Sequence, residues 1–63
     1  MVYSKLLKAL RGELVVSQAE LAEMLGCAFA SVNRWERGRH EPNYKMKRKI
    51  LALCKKNRIN TEE

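Results

Sequence analysis

The chain has 63 residues, 46% of them hydrophobic and 32% charged, with a formal net charge of +6. This length predicts one small domain over residues 1–63, and the apolar content excludes an intrinsically disordered chain. No apolar run approaches the length of a membrane span and no signal peptide is recognisable, which argues against a membrane or secreted protein.

The positive charge is unevenly distributed along the sequence. Residues 1–27 are neutral, whereas residues 28–63 carry ten basic and four acidic side chains and therefore the whole excess. A basic half of this kind is typical of a surface that binds a polyanion, and a solvated surface without a partner is the alternative.

Cys27 and Cys54 form no close pair, and His40 is the only histidine that could accompany them. Their spacing is unlike that of a zinc site, so neither a metal nor a cofactor is predicted. Cys27 falls in a turn and Cys54 on an apolar helical face. This predicts two buried free thiols in a reducing compartment, and hence a cytoplasmic protein. A disulfide between them stays open, because it depends on geometry.

The first predicted element is a helix over residues 3–11. Its apolar stripe consists of Leu6, Leu7 and Leu10. Gly12 is expected to end this helix. Leu14 and Val16 then alternate with polar neighbours, which predicts a short loop anchored in the core.

Residues 18–38 have the pattern of two short helices joined by a tight turn. The first, over residues 18–25, begins after Ser17, whose hydroxyl is a good N-cap and forms a capping box with Glu20. Gly26 provides the left-handed backbone of the turn, and the small Ala22 allows the second helix to cross closely. Two helices in this arrangement form a helix-turn-helix.

The second helix of the motif is predicted over residues 28–37, with Val32 and Trp35 on its buried face and Gly38 at its end. The positions predicted to face outward are Ala28, Phe29, Ala30, Asn33, Arg34 and Arg37. An exposed helix of this kind fits the major groove of DNA.

Several side chains of the motif suit DNA, and each has an ordinary alternative. Arg34 matches the two major-groove acceptors of guanine, or else contacts a phosphate or a carboxylate. Asn33 could pair with adenine, and Phe29 could meet a thymine methyl group or pack against the neighbouring loop. Gln18, at a helix N-terminus, could bind a phosphate or be an ordinary exposed residue.

Glu36 lies on the Trp35 side of its helix, where a carboxylate needs a cation. Arg11 of the first helix is the candidate, and a solvated Glu36 is the alternative. Beyond the loop, Asn43 is expected to cap a last helix over residues 44–57, whose apolar face closes the core and whose other face is basic. A membrane surface or a calmodulin-like partner for this helix is disfavoured, since so small a core needs its apolar face.

The stretch from Arg11 to Pro42 resembles the Cro/C1-type, or XRE, helix-turn-helix family of the lambdoid phage repressors. The matching motifs are Leu10-Arg11, Ser17-Gln18-Ala19-Glu20-Leu21-Ala22, Leu25-Gly26 and Ser31-Val32-Asn33-Arg34-Trp35-Glu36-Arg37-Gly38, with Pro42 beyond them. The resemblance implies an all-α, compact bundle of four to five short helices and a transcriptional regulator that binds double-stranded DNA and is therefore nucleoid-associated.

The resemblance also implies the roles of individual residues. The expected base contacts are Ala28, Phe29, Ala30, Asn33 and Arg34. The expected phosphate contacts are Ser17, Gln18, Arg37, Arg39 and Lys45. Arg11 is expected to pair with Glu36. Ala28 departs from the family, because a capping Ser or Thr usually stands there.

The sequence therefore predicts a regulator that inserts the helix over residues 28–37 into the major groove, as a homodimer on two half-sites. The alternative is an antitoxin or adaptor module whose main role is to bind a protein, such as a toxin, through Phe29 and its alanine neighbours. An enzyme is not expected, because neither a Cys–His pair nor a Ser–His–Asp set is recognisable.

Overall fold

The structure, a computed structural model, describes residues 3–59, so the predicted domain over residues 1–63 extends beyond it at both ends. The described residues form four helices and no strand, which confirms the all-α prediction. The helices are α1 (Tyr3–Leu14), α2 (Gln18–Leu25), α3 (Phe29–Glu36) and α4 (Tyr44–Lys56).

Helix α1 runs through Gly12 and ends at Leu14, so the prediction that Gly12 ends this helix was wrong. The reversal occurs at Val15, which has a φ of 56°, and the Val16 amide donates to the Arg11 carbonyl at 3.1 Å. This bond closes a Schellman-type end. A glycine inside a helix costs only about 1 kcal/mol, and packing of Leu14 and Val16 against the core favours the longer helix.

The turn between α2 and α3 forms as predicted. The Glu20 amide donates to the Ser17 hydroxyl at 3.1 Å, and the Ser17 amide donates to the Glu20 carboxylate at 2.8 Å, completing the capping box. Gly26 has a φ of 74°, and the Cys27 amide donates to the Ala22 carbonyl at 2.9 Å. Ala22 is buried in the core, and α2 packs against α3.

Helix α3 is one residue shorter at each end than the predicted range 28–37. Ala28 occupies the N-cap position with extended backbone and provides no side-chain hydrogen bond, as its identity implies. Gly38, with a φ of 79°, reverses the chain after Arg37. The Asn43 side chain accepts from the Met46 amide at 2.9 Å and so starts α4.

The core lies between all four helices. Its buried hydrophobic residues are Leu6, Leu7, Leu10, Leu21, Ala22, Leu25, Val32, Trp35, Ile50 and Cys54. Cys54 is a buried free thiol as predicted, but Cys27 is only half-buried, because the α2–α3 turn lies at the surface. Burial raises the pKa of both thiols, and at Cys27 the charge of Lys49 partly opposes that shift.

Candidate nucleic-acid interface

Helix α3 is held by one face and exposed on the other. Val32 is fully buried and Trp35 is 8% exposed, which anchors the helix against α1 and α2. The outward side chains Ala28, Phe29, Ala30 and Arg34 are exposed. The exposed fraction of Phe29 is 53%, so packing against the neighbouring loop does not cover this ring.

Two adjoining clefts lie along this exposed face. One, of about 360 Å³, is lined by Phe29, Ala30, Asn33, Arg34, Arg37, Arg39 and His40. The other, of about 500 Å³, is lined by Lys8, Gln18, Asn33, Glu36, Arg37 and Arg39. They share Asn33, Arg37 and Arg39, so the outward face of α3 continues into a basic surface formed with α1 and α2.

An ion pair between half-buried Arg11 and buried Glu36 joins α1 to the end of α3. Arg11 Nε donates to Glu36 Oε2 at 2.7 Å, and Arg11 Nη2 donates to Glu36 Oε1 at 2.9 Å. Glu36 is 5% exposed, and burial would raise the pKa of its carboxyl. Hydrogen bonds from Arg11 and Gln18, with the charges of Arg11 and Lys8, outweigh that effect and hold the pKa below its usual value.

The two amide side chains of the motif are hydrogen-bonded within the domain. Gln18 Nε2 donates to Glu36 Oε1 at 2.9 Å, and Asn33 Nδ2 donates to Gln18 Oε1 at 3.1 Å. The spacing alone predicted that Asn33 faces outward, but in the structure this side chain is half-buried. The two residues are fifteen positions apart on different helices, so only the tertiary structure brings them together.

The helix-turn-helix family model HTH_3 matches residues 7–58. The chain belongs to the Cro/C1-type, or XRE, helix-turn-helix family. Members of this family are regulators that bind double-stranded DNA. Searches of curated proteins and of solved structures returned no significant match.

The cationic residues expected at a family member's phosphate-contacting surface are exposed. Arg37 and Arg39 line both clefts, and neither forms an ion pair with a carboxylate among residues 3–59. Lys45 is also exposed but lies in a different groove on α4, beside Arg48 and Lys49. Of these cations, the structure therefore brings only the two arginines to the α3 clefts.

Lys8 is the residue of this family member's basic surface that the sequence reasoning missed. It is exposed on α1 and lines the larger cleft together with Gln18 and Arg37. Its position three residues before Arg11 was an available signal, because residues three apart share a helix face. Ser17 accepts from the Glu20 amide through its hydroxyl oxygen, so the capping box does not use its hydroxyl proton.

The part of the chain that the structure describes contains no helix long enough and apolar enough to cross a membrane. Within the same residues no cluster of three or more His, Cys, Asp or Glu side chains could hold a metal ion.

Proposed function

We propose that this chain binds double-stranded DNA with sequence preference, by placing α3 in the major groove, and that it acts as a transcriptional regulator. The observation that carries the proposal is the outward face of α3. It combines exposed apolar residues and Arg34 with Arg37 and Arg39 at its border, which pair with no carboxylate among residues 3–59, while the opposite face is buried in the core. Reading base edges in the groove requires a rigid helix whose exposed face carries both polar and apolar side chains.

The outward face offers chemically different groups for base edges. Arg34 presents two parallel donors that fit the O6 and N7 acceptors of guanine. Phe29, with Ala28 and Ala30 beside it, presents apolar surface suited to the methyl group of thymine. Asn33, whose amide could pair with adenine, lines the same cleft as Phe29 and Arg34.

Positive charge around these residues is suited to the phosphate backbone. The proposed phosphate contacts are Ser17, Gln18, Arg37, Arg39 and Lys45, and we propose Lys8 as a further one because it lines the larger cleft. Neutralising phosphates releases counterions, so the affinity should fall steeply with salt concentration. One copy of so small a domain covers little DNA, and we propose a homodimer on half-sites about one helical turn apart.

The test is binding to a random duplex library at about 50 and 200 mM salt, followed by selection of preferred sites. The four cations among the proposed phosphate contacts predict, for each bound copy, a loss of affinity on the order of a hundredfold over this range. Arg34→Ala should weaken the preferred site by about 1–3 kcal/mol and relax one base position. Arg48→Ala is the matched control, because it removes the same charge beside Lys45, outside the α3 clefts, where loss of a backbone contact weakens all sequences equally.

Two results would contradict this function. Absence of duplex binding even at low salt would show that the basic surface is only solvated. If Arg34→Ala, like Arg48→Ala, left every base preference unchanged, α3 would not read a base through Arg34.

The exposed Phe29 favours a second candidate, a protein-binding antitoxin or adaptor. Phe29→Ala distinguishes the two functions. Loss of a protein complex with duplex affinity unchanged would favour the adaptor, whereas reduced preference at a thymine position would favour the regulator.

A further inference from the structure

The polar side chains at the edge of the α3 surface form one continuous chain of hydrogen bonds across three helices. Asn33 of α3 donates to Gln18 of α2 at 3.1 Å, and Gln18 donates to Glu36 of α3 at 2.9 Å. Arg11 of α1 donates to both oxygens of Glu36. The buried end of this chain is the Glu36 carboxylate, which pairs with Arg11, and its other end, Asn33, lies in both clefts.

The direction of every hydrogen bond in the chain follows from its buried end. An ionised carboxylate can only accept, so Gln18 must present its amino group to Glu36. The carbonyl oxygen of Gln18 then faces Asn33. Because this oxygen can only accept, Asn33 must donate from its side-chain N–H. The opposite orientation of Asn33 would place two carbonyl oxygens against each other.

This orientation determines which hydrogen-bonding groups remain for a ligand. Asn33 keeps its carbonyl oxygen and one N–H, and Gln18 keeps one N–H. Adenine presents an N6 donor and an N7 acceptor in the major groove, which match the free oxygen and N–H of Asn33. Guanine presents two acceptors there and can be matched only if the Asn33 amide loses its bond to Gln18.

We propose that Gln18 and Glu36 are positioning residues that fix the Asn33 amide so that it selects adenine over guanine at one position of the bound site. The inference rests on the proposed insertion of α3 into the major groove. It gives Gln18 an effect on sequence preference in addition to its phosphate contact, although Gln18 itself touches no base.

The experiment compares base preferences of the wild type and variants by selection from a random duplex library. Asn33→Ala identifies the base position that Asn33 reads, as the one whose preference disappears. Gln18→Ala should lower the adenine-to-guanine preference at that same position on the order of tenfold, the discrimination typical of one good amide–base pair. Arg39→Ala is the control, since loss of a phosphate contact weakens all sequences equally.

A double variant separates positioning from a general loss of affinity. In the Asn33→Ala background, Gln18→Ala should change only overall affinity and leave every base preference as it is. Glu36→Gln is the second test, because an amide can present either an oxygen or an amino group to Gln18. It should lower the same preference, and melting curves followed by circular dichroism identify any variant that does not fold.

Each outcome decides the inference. If Gln18→Ala lowers affinity uniformly and keeps the adenine preference, Gln18 is a phosphate contact only and the inference is overturned, while the proposed function stands. The inference is also overturned if Asn33→Ala changes no preference. If the wild type does not bind duplex DNA, the proposed function fails first.

Discussion

Glu36 shows how a single buried charge can organise a surface. Its carboxylate accepts from Arg11 and Gln18, and through Gln18 it orients Asn33. A buried carboxylate left without these donors would be costly, since removal of one partner strands the other charge. The charged form of Glu36 is therefore stabilised by folding, and its pKa lies below the usual value.

This lowered pKa predicts a loss of stability in acid that depends on Glu36. The stabilisation is fully present above the unfolded-state pKa, which is about 4.3, and is lost as the pH falls through the lower folded-state pKa. Glu36→Gln should cost about 2–3 kcal/mol at pH 7 and should make stability less dependent on pH below about 4. Urea unfolding from pH 7 to pH 3 measures both effects, and parallel pH profiles for the two proteins would contradict the prediction.

At the scale of elements, the ends of the helices depend on local backbone conformation and on packing together. Gly12 lies inside α1, where an added Cβ would meet no atom within 4 Å. Gly38 follows α3 with a φ of 79°, a conformation in which a side chain is strained. The two glycines therefore make opposite predictions for the same substitution.

Gly12→Ala should stabilise the domain by about 0.5–1 kcal/mol, because alanine loses less backbone entropy in a helix. Gly38→Ala should destabilise it by about 1–2 kcal/mol, since its Cβ makes the left-handed conformation unfavourable. Thermal or urea unfolding of the two variants provides the comparison. A destabilising Gly12→Ala would mean that α1 ends near Gly12 in solution, as the sequence pattern alone suggests.

The bounds of α2 and the end of α1 show where prediction of helix ends from the sequence succeeded and where it failed. The capping box of Ser17 and Glu20 and the left-handed Gly26 determine the bounds of α2 locally, and these were predicted correctly. The end of α1 depends on packing of Leu14 and Val16 against residues distant in sequence, and the sequence analysis placed it wrongly. A glycine is a weak stop signal when apolar residues continue beyond it.

At the scale of the whole molecule, one small core supports all four helices. Among residues 3–59, ten buried hydrophobic residues form it, and Leu7 of α1 is one of those that are fully buried. A domain of 63 residues has a free energy of unfolding of only about 3–9 kcal/mol. The rigid presentation of α3 therefore depends on a narrow margin of stability.

Leu7→Ala should lower the free energy of unfolding by about 2–5 kcal/mol, because it removes apolar contacts and leaves a cavity. This is a large part of the expected total, so the variant should be partly unfolded at 37 °C. Leu51→Ala, at a half-buried position of α4, is the control and should cost less. Similar melting temperatures for the two variants would contradict a core centred on the α1 stripe.

By itself, the amino-acid sequence determined the helical class, the family, the bounds of α2, the buried face of α3 and the pairing expected between Arg11 and Glu36. These follow from periodicity, capping residues and turn glycines, whose effects act over a few neighbours, and from a motif with characteristic spacing. Only the tertiary structure decided the length of α1, the place of Lys8 in the basic surface and the hydrogen bonds of Gln18 and Asn33. These depend on contacts between helices, because a side chain's partner is set by packing and not by its neighbours in the chain.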